Sequence, residues 1–203
     1  MNQTFVKSVT EQLPQLGLLQ DEPMKKHTTF RIGGPADYYA EPDMSRISKL
    51  IEMAKARDMP VTVIGNGSNL LVGDKGIRGL VIGIGKGLSE IEVTEAVAQQ
   101  GTAQDLTAQD NGHIITAGAG AILAAVAAKA AEASLSGLEF ASGIPGSVGG
   151  AVVMNAGAYG GEIKDVLIDA TVLTAEGELK TVTRDELDLS YRHSIVPEKG
   201  YIV

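Results

Sequence analysis

Residues 143–161 read GIPGSVGGAVVMNAGAYGG, seven glycines around an apolar run with no charged side chain. Glycine inside a regular element costs roughly 0.5–1 kcal/mol relative to alanine, so this density asks for a compensating reason. Two reasons are available: close packing of main chain on main chain, or a ligand lying directly against the backbone. Ser147 and Asn155 supply polar handles, and Ile144, Val148, Val152 and Met154 an apolar filling. A flat heteroaromatic ring with an attached diphosphate wants that mixture of apolar wall and main-chain donors. A glycine crossing between two packed elements fits the composition equally well.

A second small-residue stretch, GNGSNLLV at 65–72, follows the apolar run VTVI directly. A turn of this kind at a strand exit aims several backbone N–H groups into one concavity, and such nests bind phosphates. Ser68 and Asn69 would add side-chain donors. A tight exit turn with Gly65 and Gly67 at positive φ explains the same residues without any ligand. No Gly-Lys-Ser/Thr follows, so this is not a Walker loop, and Leu70 stands where the G-x-G-x-x-G spacing needs its third glycine.

Around these stretches the chain alternates strands and helices. Residues 1–24 read as a peripheral amphipathic helix and loop, with Phe5, Val6, Val9 and Leu13 on one face and Pro14 as its stop. TTFRIGGPADYYAEP reads as two strands broken at Gly33-Gly34-Pro35. Ser45–Arg57 carries Ile47, Leu50, Ile51 and Ala54 at helical spacing, with Asp43 or Ser45 at its start. VTVIG and GLVIGIG are strands, ITAGAGA a strand ending in a glycine turn, and AILAAVAAKAAEASL a thin alanine-rich helix. The polar stretch 94–111 reads as a long hairpin or an insertion. DVLIDATVLTAEG and ELKTVTR form a hairpin turning at Glu176-Gly177.

Composition narrows the function classes. In 203 residues, 44% are hydrophobic, enough for a substantial core. Seventeen basic against 25 acidic side chains give a net charge of −8 with no basic block, which argues against nucleic acid as a partner. There is no cysteine, so disulfides and thiolate metal sites are excluded, and a reducing, cytoplasmic location is expected. No apolar run is long enough to span a bilayer, so no membrane segment is expected. His27, His113 and His193 are too scattered to suggest a metal site, and each reads as a loop or solvent-facing histidine. Glu41 and Asp43 read as helix-start residues.

Taken together, GLEFASGIPGSVGGAVVMNAGAYGGEI, VIGNGSNLLV, KHTTFRIGGPAD and SYRHSI, in order from Lys26 to Ile195, strongly resemble the UDP-N-acetylenolpyruvoylglucosamine reductases of bacterial peptidoglycan synthesis. The resemblance implies an α+β FAD-binding fold of the vanillyl-alcohol oxidase type with two α+β subdomains. On that basis residues 25–90 are the first subdomain and 91–203 the second, behind the lead-in 1–24. It also implies noncovalent FAD, with Gly65, Asn66, Gly67, Ser68, Asn69 and Leu70 around the diphosphate. Gly143, Ile144, Pro145, Gly146 and Ser147, then Gly149, Gly150, Ala151, Asn155 and Gly157, lie along the flavin.

In this family NADPH is the hydride donor and a UDP-sugar enolpyruvyl ether the substrate. The resemblance places Arg192, in the Tyr191-Arg192-His193-Ser194 motif, on the negative charge that develops beside the substrate carboxylate. An arginine suits that role because it stays charged and grips a carboxylate bidentately. Tyr159 and Tyr191 are candidate substrate contacts. The family's proton-donor serine and assisting glutamate belong downstream, mostly to a separate substrate-binding domain. Because Lys199–Val203 starts a further strand, the chain is expected to be a fragment lacking that domain, able to bind FAD but turning over little substrate; Ser194 is not assigned as the missing acid. A flavin oxidase of the same fold and a non-catalytic flavin-binding module stay as alternatives.

Overall fold

The computed structural model describes residues 3–95 and 112–203. Apolar spacing over Gln3–Gln12 makes the first helix (α1), after which the chain forms strands Leu19–Pro23 (β1) and Pro35–Ala40 (β2). Met44–Lys55 is the second helix (α2), followed by strands Val61–Ile64 (β3) and Ile77–Gly83 (β4). The four strands form one sheet in the order β1-β2-β4-β3. β4 is parallel to both its neighbours, whereas β1 closes the edge antiparallel to β2. The crossover through α2 skips one strand position, and β4 fills it.

β4 is apolar along nearly its whole length because both faces of the sheet are covered. Leu80 and Ile82 point into a core with Phe5 and Val9 of α1 and Leu50 of α2, while Val81 points the other way, to Met24, Ile64 and Val72. The smaller cluster is the floor under residues 65–72.

The chain start is therefore not peripheral. Phe5 is fully buried, its ring edge-on to Tyr38 at 5.1 Å, and β1 is a sheet strand, not loop. The strand expected at Thr28–Ile32 is instead a turn: Arg31 has φ 54, its N–H bonds to the Thr28 carbonyl, and the Thr29 N–H reaches the Gly67 carbonyl at 3.2 Å. Thr and Phe suit a strand locally, but tertiary contact with the 65–69 loop decides this segment.

In the second half, Ile91–Glu95 (β5) and His113–Ala117 (β6) pair antiparallel. The hairpin or insertion expected over 94–111 falls mostly outside the described residues. Leu123–Glu132 (α3) is the alanine-rich helix, and a 3-10 turn spans Glu139–Gly143. Within the glycine stretch, Val148–Val153 forms a short helix (α4), followed by a small hairpin of Gly157–Ala158 (β7) and Gly161–Glu162 (β8). Asp169–Leu173 (β9) and Leu179–Thr183 (β10) form the expected hairpin. Leu123, Phe140, Val152, Val172, Val182 and Leu187 centre this second core. Ile202 pairs with Leu173 through two backbone bonds of 2.7 and 2.9 Å, so the expected strand character near the last residues is real.

The two halves meet through side chains, with Leu173 in the first core and Ala119 and Ile202 against it, and through main chain. The amides of Gly118 and Gly120 donate to the carbonyls of Glu90 and Leu88, each at 2.8 Å. Among the described residues no helix is long and apolar enough to cross a membrane.

Candidate functional site

The turn that leaves β3 and the glycine stretch around α4 lie side by side. Asn66 donates its side-chain amide to the Pro145 carbonyl at 2.7 Å, and a Cβ on Gly65 would collide with the Ser147 hydroxyl. Gly67 has φ +61 and sits against the His27 carbonyl, where no side chain would fit. Of the two glycines in this turn, only Gly67 needs the left-handed conformation; Gly65 is bare because Ser147 is there. On the far side, residues 119–123 hold the stretch in place: Leu123 N–H bonds to Gly146, and the amides of Val148 and Gly149 to Ala121 and Ala119. No local motif marks this third strip, whose partners are 23 to 30 residues away.

The seven glycines of 143–161 have different reasons. Gly149 abuts Ala119, Gly157 abuts Glu162, and Gly161 abuts Phe140, so these three are packing glycines. Gly160 takes φ +88 at a hairpin tip. Gly143 has nothing near its missing Cβ, Gly146 the Ser68 hydroxyl at 3.7 Å and an Ile144 methyl at 3.9 Å, both ordinary contacts, and Gly150 only the Ser147 hydroxyl at 3.4 Å. Protein packing accounts for the first group and not for these three, whose bare backbone faces open space.

Ser147 stands at the centre. It is 2% exposed, and its Oγ is the one buried side-chain polar atom with no hydrogen-bond partner among the described residues. Leaving a buried hydroxyl unpaired costs about 1–3 kcal/mol, so Ser147 calls for a partner that the described residues do not supply. A phosphate- or ring-bearing cofactor suits this cradle of open glycine backbone, an orphan hydroxyl and the Ser68 hydroxyl beside it.

Asn155, expected at the cofactor, has its side chain engaged within the protein. Both hydrogens of its buried carboxamide are engaged, to Glu162 at 2.6 Å and to the Ser190 carbonyl at 3.1 Å, and its oxygen accepts the Lys164 N–H at 2.9 Å. Tyr159 is 96% exposed at the tip of the β7–β8 hairpin and Tyr191 is 87% exposed in the turn before His193. Arg192, in that turn at φ 55, extends its guanidinium 5.9 Å from the Tyr191 ring centre. Ser194 is buried and donates to the Val153 carbonyl at 2.7 Å, which anchors the turn to the end of α4.

His27 is not a free loop histidine. It stacks on Tyr39 at 3.9 Å and meets Glu22 at 3.0 Å, with Lys26 on the same carboxylate at 3.2 Å. Glu41 likewise accepts the Tyr39 hydroxyl at 2.6 Å instead of starting the helix; burial, reinforced by that carboxylate, pushes the phenol far above its ordinary range. At Glu22 burial pushes the carboxyl up, but the hydrogen bonds from His27 and Lys26 outweigh it, and the net shift is below the ordinary 4.5. A carboxyl depressed in the folded state stabilises above its unfolded value and loses that contribution as pH falls through the folded one. Thermal unfolding from about pH 6 down to about pH 3 should therefore show Glu22→Gln flattening the acid limb, with the two proteins converging at the lowest pH.

The sheet with its parallel β2, β4 and β3, the covering helices and the glycine-lined cradle are matched, through the similarities that follow, to FAD-binding domains with the vanillyl-alcohol oxidase type of fold. Residues 37–183 match the family described as FAD binding domain, and the chain belongs to that family. It is 96% identical over its whole length to the UDP-N-acetylenolpyruvoylglucosamine reductase of Agathobacter rectalis, of which it spans 63%. Among solved structures it is similar to the UDP-N-acetylenolpyruvylglucosamine reductase of Thermus caldophilus, with a TM-score of 0.66 and 32% identity over 93% of this chain and 59% of that one. A VAO-type flavoprotein from Myceliophthora thermophila shares the fold alone, at TM-score 0.57 and 18% identity over 74% of this chain and 27% of the other.

Proposed function

We propose that this chain is the FAD-binding part of an NADPH-dependent UDP-N-acetylenolpyruvoylglucosamine reductase, acting in the cytoplasm, with residues 25–90 and 91–203 as its two subdomains. The observation that carries the reading is the convergence of the 65–69 turn and the open glycines on the unpartnered Ser147 hydroxyl. Gly65–Leu70 and Gly143–Ala151 hold FAD noncovalently, the first around the diphosphate and the second along the ring. FAD, when bound, supplies a two-electron carrier for hydride. Asn155 serves this site indirectly, and Gly157 as a packing glycine.

The chain's own contribution to the chemistry centres on the Tyr191-Arg192 turn. Reduction of an enolpyruvyl ether builds negative charge beside the substrate carboxylate, and a fixed guanidinium lowers the energy of that charge where water is scarce. Arg192 does this, with Tyr159 and Tyr191 as exposed aromatic surfaces for the substrate. Non-glycine residues in the left-handed region cost of order 1–3 kcal/mol each and concentrate at functional sites; Tyr159 and Arg192 both lie there. Ser194 does not act as the proton donor, because its hydroxyl already points at Val153.

The test has two stages. Purified chain loaded with FAD and desalted should retain near-stoichiometric flavin absorbance; none retained removes the reading. The chain completed with the downstream part of the Agathobacter rectalis protein should bleach on adding NADPH and recover its colour only with the enolpyruvyl substrate. Recovery in air alone would indicate an oxidase, and no bleaching a binding module.

A further inference from the structure

Three of the non-glycine residues with positive φ, Asn155 (39), Tyr159 (53) and Arg192 (55), lie on segments joined by one side chain. Tyr159 and Gly160 form the two-residue tip of the β7–β8 hairpin, both with positive φ, the pattern of a type I′ turn. Ser190 and His193 exchange backbone bonds of 3.2 and 3.1 Å around Tyr191 and Arg192. The two turns belong to different parts of the chain. The Asn155 carboxamide bonds to both, through Glu162 at the foot of the hairpin and the carbonyl of Ser190 at the foot of the turn. Its orientation is unambiguous, since both contacts of the nitrogen are acceptors and the contact of the oxygen is the Lys164 amide.

We infer that Asn155 is a positioning residue whose carboxamide braces the Tyr159 hairpin and the Tyr191-Arg192 turn in one fixed relation. Buried at 3% exposure, it touches neither turn's tip and acts from below. The Ser190 carbonyl that it holds is the same atom that accepts the His193 amide, so the brace and the turn share one acceptor. That the brace sets Arg192 for the substrate rests on the functional reading above; the bracing itself does not.

Asn155→Gly removes the carboxamide with its methylene, and glycine adopts φ 39 without strain. Residue-resolved amide hydrogen exchange on the chain should show protection at Ser190 and His193 falling at least tenfold, with Val81 and Val172 in the two cores within twofold. Unchanged His193 protection overturns the proposal, and so does an equal fall in the cores, which would make Asn155 a general stability residue. In the completed enzyme the same substitution should lower kcat with the enolpyruvyl substrate at least tenfold while KM for NADPH and flavin content stay within twofold. Unchanged kcat, or loss in proportion to flavin content, would overturn the positioning role. Should the unsubstituted completed enzyme not reduce that substrate, the functional reading fails while the exchange result still decides the brace.

Discussion

Gly150→Val leaves the free chain folded and weakens FAD binding by roughly 100-fold, near the upper end of the about 1–3 kcal/mol that intruding methyl groups cost in a filled space. The expectation follows from what surrounds the missing side chain. A Cβ at Gly150 meets only the Ser147 hydroxyl, at an ordinary 3.4 Å, and the residue lies in helical backbone with no positive φ. Its neighbour is the control: at Gly149 the Cβ would stand 3.0 Å from the Ala119 Cβ, so valine there damages the protein before any ligand arrives. Circular dichroism melts of the free chains, with titration of flavin fluorescence, separate the two. If the Gly150 variant binds FAD like the unsubstituted chain, the open glycines are a packing feature and the cradle does not hold the cofactor.

Arg192→Lys, in the completed enzyme, spares reduction of the flavin by NADPH and slows the substrate half-reaction by about 10²–10³, the loss typical of removing one donor from a developing charge. Lysine keeps the charge but not the planar two-point fork that matches a carboxylate. Its ammonium also lacks the flat face that lies near Tyr191. Stopped-flow measurement of each half-reaction distinguishes this from general damage, since an equal loss in both would place Arg192 outside the substrate chemistry.

Much of this was legible in the sequence because glycine density and strand-exit turns are local signals. GNGSN and GIPGSVGG announce bare backbone, and the Ser147 hydroxyl stands out as a polar group in an apolar run. What the sequence could not separate was one glycine from another: Gly149 and Gly150 are adjacent and identical, yet only the first has Ala119 against it. The buried face of α2 was readable from its 3.6-residue period, and its start and end shifted by only a residue or two. The Thr28–Ile32 turn was not readable, because the bond that organises it comes from Gly67. The bonds of Asn155 were not readable for the same reason: its partners lie 7, 9 and 35 residues away, and an asparagine in a glycine-rich run shows none of them locally.

Because Val81 packs with Ile64 and Val72 at the two ends of the 65–72 turn while its neighbours Leu80 and Ile82 sit in the main core, one strand supports both the cradle and the body of the domain. A cofactor held in that cradle would leave as β4 loosens, so heating a flavin-loaded chain should release flavin and unfold the protein in one transition. The fluorescence of released flavin, not its colour, which free FAD shares, would follow that transition in a chain with no tryptophan to serve the purpose.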